Sequence, residues 1–311
     1  MSTITGIPIK PLKPGSPEWL KTISASKVPS ILRVSPFQSR FTLWQTMAGN
    51  IPQWEGNKTT ERGTYLEASV IGWFADQHKD FGQLHTDTKL GYRAGYSFAH
   101  PDHADWTAAP DAVFVTDDGE HVGIEAKTSQ YSDGWGEPGT AEIPPYYFAQ
   151  AVWQMIVTGF RKVYIPVLFG QPFEFREYVI EWADVEADVP AIIAEVIAYQ
   201  VSLEDNNPPM TDGDMSTYET VRALHPSIEP TETALPDNLA YRYLINKQAA
   251  ADAAALEQHA KTDIANYMGN AKKATWNGAT IFTRQSKGGG TPYLVVGRAL
   301  PTINQEQDKA A

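Results

Sequence analysis

The segment AAPDAVFVTDDGEHVGIEAKTS, residues 108–129, places an Asp at the head of one β-rich run and Glu-Ala-Lys at the end of the next. Asp118-Gly119 between the runs is a hairpin cue, and the antiparallel return brings Asp111 beside Glu125 and Lys127. A two-residue loop would set Asp111 opposite Ala126. A three-residue loop at 117–119 would set it opposite Glu125 on the same face, and this longer loop, or a bulge, is expected. Two carboxylates and an ammonium gathered this way suit phosphodiester hydrolysis. The carboxylates hold one or two Mg²⁺ ions, or Mn²⁺ in their place, and the lysine positions the attacking water or offsets developing charge. The plainer alternative is that Asp111 merely starts a strand and Glu125 and Lys127 form a solvated ion pair.

Neighbouring elements must hold this trio in place. A helix is expected near 60–79, with Leu66, Val70, Trp73 and Phe74 as its buried stripe and Glu67 at the stripe's edge. Another is expected near 145–159, with Tyr147, Gln150 and Gln154 on one face and Ala149, Val152, Trp153 and Ile156 on another. A polar stripe beside an apolar one suits a cleft wall, and a solvated face is its alternative. A helix near 17–32 and a strand near 162–169 complete a mixed α/β core assigned to residues 1–200. Residues 201–236 concentrate Pro, Asp, Glu and Thr and read as a connector with little regular structure. Residues 237–311 read as an extension: a long Ala-rich helix over 237–270, then short β segments around the GGG at 288–290.

Four segments carry a family resemblance: EWLKTISASKVPSILRVSPFQS, ERGTYLEASVIGWFADQH, APDAVFV with GIEAKTS, and IPPYYFAQAVWQMIVTG. In this order and spacing, over about residues 17–170, the chain resembles the YqaJ-like viral recombinases and phage lambda exonuclease, within the PD-(D/E)xK nuclease superfamily. The resemblance implies a restriction-endonuclease-like core, a central mixed sheet flanked by helices. It implies that Asp111 and Glu125 ligate the metal, that Glu67 adds a further acidic group and that Lys127 is the catalytic lysine. It implies too that Gln150, with Gln154 on the same face, contacts the DNA or orients the scissile phosphate, and that Ser26 helps to receive a 5′-phosphate. Where the family often has an Arg upstream of that Ser and a Ser before Pro-Asp, this chain has Lys21 and Ala109. The implied activity is 5′ to 3′ degradation of linear double-stranded DNA from an end, feeding a single-strand annealing protein in phage-type recombination. A ring-shaped homo-oligomer, commonly a trimer, is implied as well. An endonuclease or resolvase on the same core, or a catalytically silent DNA-binding module, are the competing readings.

Composition narrows the classes. With 311 residues and 42% hydrophobic content the chain can bury a full core. No window approaches the roughly 20 apolar residues of a membrane span, so no membrane association is expected; the lack of cysteine fits a reducing cytosol, and the phage resemblance implies that of a bacterial host. Zero cysteines exclude disulfides, thiolate zinc sites and the cysteine-bound cluster of Cas4-like nucleases. The net charge of −12 argues against wholesale coating of nucleic acid. Residues 1–130 carry 12 Lys and Arg against 14 Asp and Glu, and residues 131–311 carry 13 against 23. Bound cations among the carboxylates would reverse the local field where a phosphate must approach. His100 and His103 in AHPDHADW read as part of a loop packed near the hairpin, anchored by Trp106, rather than as metal ligands. SKGGGTP lacks the order of a phosphate loop.

Overall fold

The structure is a computed structural model that describes residues 5–85 and 97–303. The chain divides into two compact units, Met1–Ile228 and Glu229–Ala311. In the first unit the elements are β1 (Ile7–Ile9), α1 (Pro17–Leu20), β2 (Ile23–Ser24), α2 (Val28–Ile31), α3 (Arg40–Met47) and α4 (Lys58–Gln77). They continue with β3 (Gln83–His85), β4 (Ser97–Ala99), β5 (Trp106–Ala108), β6 (Ala112–Val115), β7 (His121–Ile124) and β8 (Lys127–Tyr131). Then come α5 (Pro145–Thr158), β9 (Lys162–Gln171), β10 (Phe173–Glu181), α6 (Trp182–Val185), α7 (Val189–Glu204) and α8 (Met215–Leu224). The second unit holds α9 (Asp237–Met268), β11 (Lys273–Trp276), β12 (Ala279–Gln285) and β13 (Tyr293–Val296).

The fold of the first unit is mixed α/β. One sheet has the order β10-β9-β7-β6-β3, with β8 also paired to β9. The strands β7 and β8 run end to end, both parallel to β9, pairing Ile124 with Tyr164 and Lys127 with Val167. A four-stranded sheet has the order β1-β4-β5-β2. Alternation along β6 divides the packing. Ala112 and Phe114 join Val70, Ile71 and Phe74 of α4, together with Val122 and Ile124, in one core. Val113 faces the larger core, which includes Val152, Trp153 and Ile156 of α5 and Val163, Ile165 and Val167 of β9. The main sheet is thus sandwiched between α4 and α5, each presenting an apolar stripe at helical spacing.

Local chemistry sets the ends of these helices. Asn57 caps α4, accepting from the Thr59 and Thr60 N–H groups, while the Thr60 side chain completes a capping box. Helix α5 starts with Pro in its first turn and ends at Gly159 in the left-handed region. Between β6 and β7, Thr116 N–H donates to Glu120 O (2.9 Å), closing a three-residue loop over 117–119, and Gly119 takes the positive φ of 83° that the turn needs.

Two expectations are corrected. The single helix near 17–32 is instead two one-turn helices separated by β2, which pairs in parallel with β5 (Ile23 with Trp106, Ser24 with Thr107). The gain is internal: the Lys27 ammonium donates to Trp19 O and Thr22 O, both at 2.6 Å, satisfying carbonyls at the end of α1. Its burial pulls the Lys27 pKa down to about 7. The segment 201–236 is not without regular structure either. It contains α8, which docks on α3 through hydroxyls: Thr217 Oγ1 lies 2.6 Å from Ser39 Oγ, and Thr220 Oγ1 lies 2.8 Å from Thr42 Oγ1.

In the second unit α9 spans 32 residues and ends at a three-stranded antiparallel sheet of order β11-β12-β13, matching the expected long helix and β segments. No helix among the described residues is long and apolar enough to cross a membrane.

Candidate active site

The register of the hairpin, Ala112 with Ile124 and Val115 with His121, continues to place Asp111 across from Glu125. Asp111 N–H donates to Ile124 O at 3.0 Å, and the Asp111 carboxylate accepts from Ala126 N–H at 2.9 Å. Glu125 and Ala126 interrupt the line of β7 and β8. Glu125 stays tied to the sheet because its N–H donates to Tyr164 O at 2.9 Å. Glu125 is 3% exposed, and three donors converge on its side chain. Lys127 Nζ and Gln150 Nε2 donate to Oε1, and Gln154 Nε2 donates to Oε2. A buried carboxylate is tolerated only when charge and hydrogen bonds compensate it in this way.

The charges respond to one another. Burial, then Glu125 and Glu67, raise the Asp111 carboxyl well above the usual carboxylate range, with Lys127 and the Ala126 N–H opposing. Burial also opposes the charge on Lys127, but Glu125 and Asp111 outweigh it and hold the ammonium pKa above its ordinary value. Lys127 Nζ lies 5.0 Å from the centroid of the Tyr147 ring, a favourable cation–π approach. Helix α4 delivers Glu67. Its buried residues are Val70, Ile71 and Phe74, so Glu67, at three, four and seven residues before them, lies in line with the stripe and not at its edge. Leu66 and Trp73 are only partly buried.

The surroundings of the other expected site residues differ from one to the next. Gln154 has no exposed surface, and its amide supports Glu125 rather than lining a wall. Ser26 is exposed, 3.1 Å from Ser24 Oγ, at the end of β2. Because β2 runs parallel to β5, which leads into Pro110 and Asp111, Ser26 leaves the sheet at the end where the carboxylates gather. It precedes Lys27, the cap residue of a four-residue helix, so no helix start presents its hydroxyl to an anion. Lys21 is exposed at the end of α1. His103 stacks on Trp106 (3.9 Å between ring centroids), and the Trp106 Nε1–H donates to Gln200 Oε1 at 2.7 Å, the anchored loop that was expected. The backbone N–H of Ala126 was not anticipated. Only the interruption between β7 and β8 turns it toward Asp111, and no residue type signals that.

One family model matches the segment that holds these residues. Residues 18–161 match the YqaJ-like viral recombinase domain. The YqaJ-like segment contains Glu67, Asp111, Glu125, Lys127, Gln150 and Gln154, together with Lys21 and Ser26. Comparison with curated proteins finds no match. Among solved structures, the chain is similar to LHK-Exo, an alkaline exonuclease from Laribacter hongkongensis, at 20% identity over 68% of this chain and 100% of that one, with a TM-score of 0.44. LHK-Exo in complex with dAMP gives 20% identity over 68% and 97%, with a TM-score of 0.45. A phage-related exonuclease from Haemophilus somnus 129PT gives 14% identity over 60% and 96%, with a TM-score of 0.40.

The donor set of this segment fits a hard divalent cation: its acidic groups are oxygen donors, close enough for Glu125 and Glu67 to raise Asp111. Among the described residues, no three His, Asp or Glu side chains form a ready cluster for a metal. Both Glu125 oxygens are instead engaged by Lys127, Gln150 and Gln154.

Proposed function

We propose that the chain is a Mg²⁺-dependent DNA exonuclease that hydrolyses linear double-stranded DNA from an end, 5′ to 3′, in phage-type recombination. The observation that carries this is the meeting of Asp111, Glu125 and Lys127 at one point of the sheet, within a segment that matches a viral recombinase domain. Asp111 and Glu125, with Glu67 beside them, would hold one or two ions. When bound, these would supply Lewis-acid activation of water and of the phosphoryl oxygen. Lys127, kept charged by Glu125 and Asp111, orients the attacking water or offsets charge on the phosphate in the transition state. Gln150 and Gln154 fix the Glu125 carboxylate so that little reorganisation is needed when charge develops. Gln150 is partly exposed and can also reach a phosphate. The single-stranded product would pass to an annealing protein, and a ring-shaped oligomer would keep the enzyme on its duplex.

The test is cleavage of a 5′-phosphorylated linear duplex, its unphosphorylated twin and a covalently closed circle, each with Mg²⁺ and with EDTA. Expected are mononucleotides from linear DNA in Mg²⁺ alone. Cutting of the closed circle would instead support an endonuclease, and cleavage in EDTA would remove the metal reading.

A further inference from the structure

Two helices carry apolar surface that nothing in their own unit covers. In the first unit α7 runs VPAIIAEVIAYQVSLE, and from Val189 to Leu203 its only charged residue is Glu195, which Arg40 and Arg33 hold. Val196 and Tyr199 face inward and are fully buried. On the outer side Pro190, Ala194, Ile197 and Val201 are exposed, at the 4-3-4 spacing that keeps to one face of a helix. A solvated helix face ordinarily carries charge, and this one carries none. In the second unit every residue of α9 from Tyr241 to Ala260 is exposed. Large apolar side chains crowd its first turns: Leu239, Tyr241, Tyr243, Leu244 and Ile245 are 42–68% exposed. Leu239 and Tyr243 line one groove with Arg242, Asn246 and Lys247. Contiguous apolar surface rimmed by polar groups marks a place where protein meets protein.

Size and charge decide what each surface fits. The outer face of α7 is low, with Pro190, Ala194 and Ala198 set among Ile197 and Val201, so it admits large side chains. Both its ends are acidic: Glu186 and Asp188 precede it, Glu204 and Asp205 follow it, and all four are exposed. A second α7 laid antiparallel against it about a two-fold axis would bring these acids together. The first turns of α9 are the converse, large side chains flanked by the cations Arg242 and Lys247. Two copies of these turns, paired two-fold about their midpoint, would set Arg242 against Arg242. Large side chains against small ones, and cations against anions, match α9 to α7 and neither helix to itself. We propose that residues 239–247 of α9 in one copy of the chain dock on the outer face of α7 in a second copy. The joint is head to tail, so each copy gives one α9 and receives another. It does not rest on the nuclease reading, because no residue of the candidate active site takes part.

The experiment follows the mass of the full chain by light scattering after gel filtration, over a range of concentrations, in EDTA and without DNA. Wild type should exceed the mass of one chain. Leu239→Ala/Tyr243→Ala removes two anchors and leaves the best helix former at both positions, while Ile197→Lys/Val201→Lys puts charge on the opposing face. Each pair should weaken association about a hundred-fold or more and run smaller than wild type. Mixed one to one, the two variants should associate again, because the intact α9 of the lysine variant still fits the intact α7 of the alanine variant. A wild type of one-chain mass at every concentration would overturn the proposal. So would a variant that keeps the wild-type mass, since a two-fold contact between like helices spares one of the two, and so would a mixture no larger than its parts. If the lysine variant melts early, Ala194→Lys, at an exposed alanine of the same face, takes its place under the same criteria.

Discussion

Asp111 is the residue at which charge and function conflict most directly. Burial and the neighbouring acids raise its pKa, so the folded state favours its protonated form. The stability this contributes is complete below the ordinary carboxylate pKa, about 4, and is lost as pH rises through the raised value. Without metal, Asp111→Asn should therefore melt above the wild type at neutral and alkaline pH, with the gap closing on acidification. Thermal melting in EDTA across pH reads this, and a constant gap would disprove it. The same variant should be inactive in Mg²⁺. Lys127→Ala should behave differently. It should lower turnover by several powers of ten while divalent-cation binding persists by calorimetry, because the ammonium is no ligand. It should also lower the melting temperature, since Glu125 loses its buried counter-charge. Ser26 offers at most one hydrogen bond to a terminal phosphate, with no helix dipole behind it. Ser26→Ala should thus reduce the preference for 5′-phosphorylated over unphosphorylated ends by about ten-fold, the worth of one bond to a charged group. Equal wild-type rates on both ends would remove that role.

At the level of elements, what matters is how the site's supports are attached. The hairpin and α5 were legible because their signals are local: Asp118-Gly119 for the turn, and a 3.6-residue apolar period over 145–158. Helix α8 was not, because its docking surface is a row of hydroxyls rather than an apolar stripe. Thr217 is 2% and Thr220 3% exposed, although both are polar. Thr217 Oγ1 sits 2.6 Å from both Ser39 Oγ and Asp212 Oδ1. Thr217→Val keeps the shape and removes these bonds, and it should cost about 1–3 kcal/mol in urea unfolding. An unchanged denaturation midpoint would mean that α8 contributes little to the first unit.

Across the whole molecule the two units differ in how they are stabilised. Among the described residues, every buried hydrophobic except Met268 lies in Met1–Ile228. The candidate active site lies there too. A fragment ending at Ile228 should therefore unfold cooperatively, within a few degrees of the full chain, and keep the proposed Mg²⁺-dependent cleavage of linear duplex. A large loss of melting temperature on truncation would show that the first unit leans on the second. Residues 229–236 are exposed and without regular structure, so limited proteolysis should cut there first.

The sequence by itself determined which charged groups meet and their local frame. Asp111, Glu125 and Lys127 needed only a turn with a left-handed glycine to come together, the spacing of apolar residues needed only helical periodicity to mark α4 and α5, and Ala-rich composition marked α9. Such signals act over a few residues, where backbone sterics and side-chain period decide. Tertiary structure decided the rest. The stretch 17–32 carries helix-compatible residues, yet pairing of β2 with β5, some 80 positions away, breaks it. Gln154 reads as one more polar position on a helix face, yet the buried carboxylate of Glu125 captures its amide. Each outcome depends on a partner distant in sequence, and hydrogen bonds made in a desolvated interior outweigh local preference because leaving those groups unpaired would cost more.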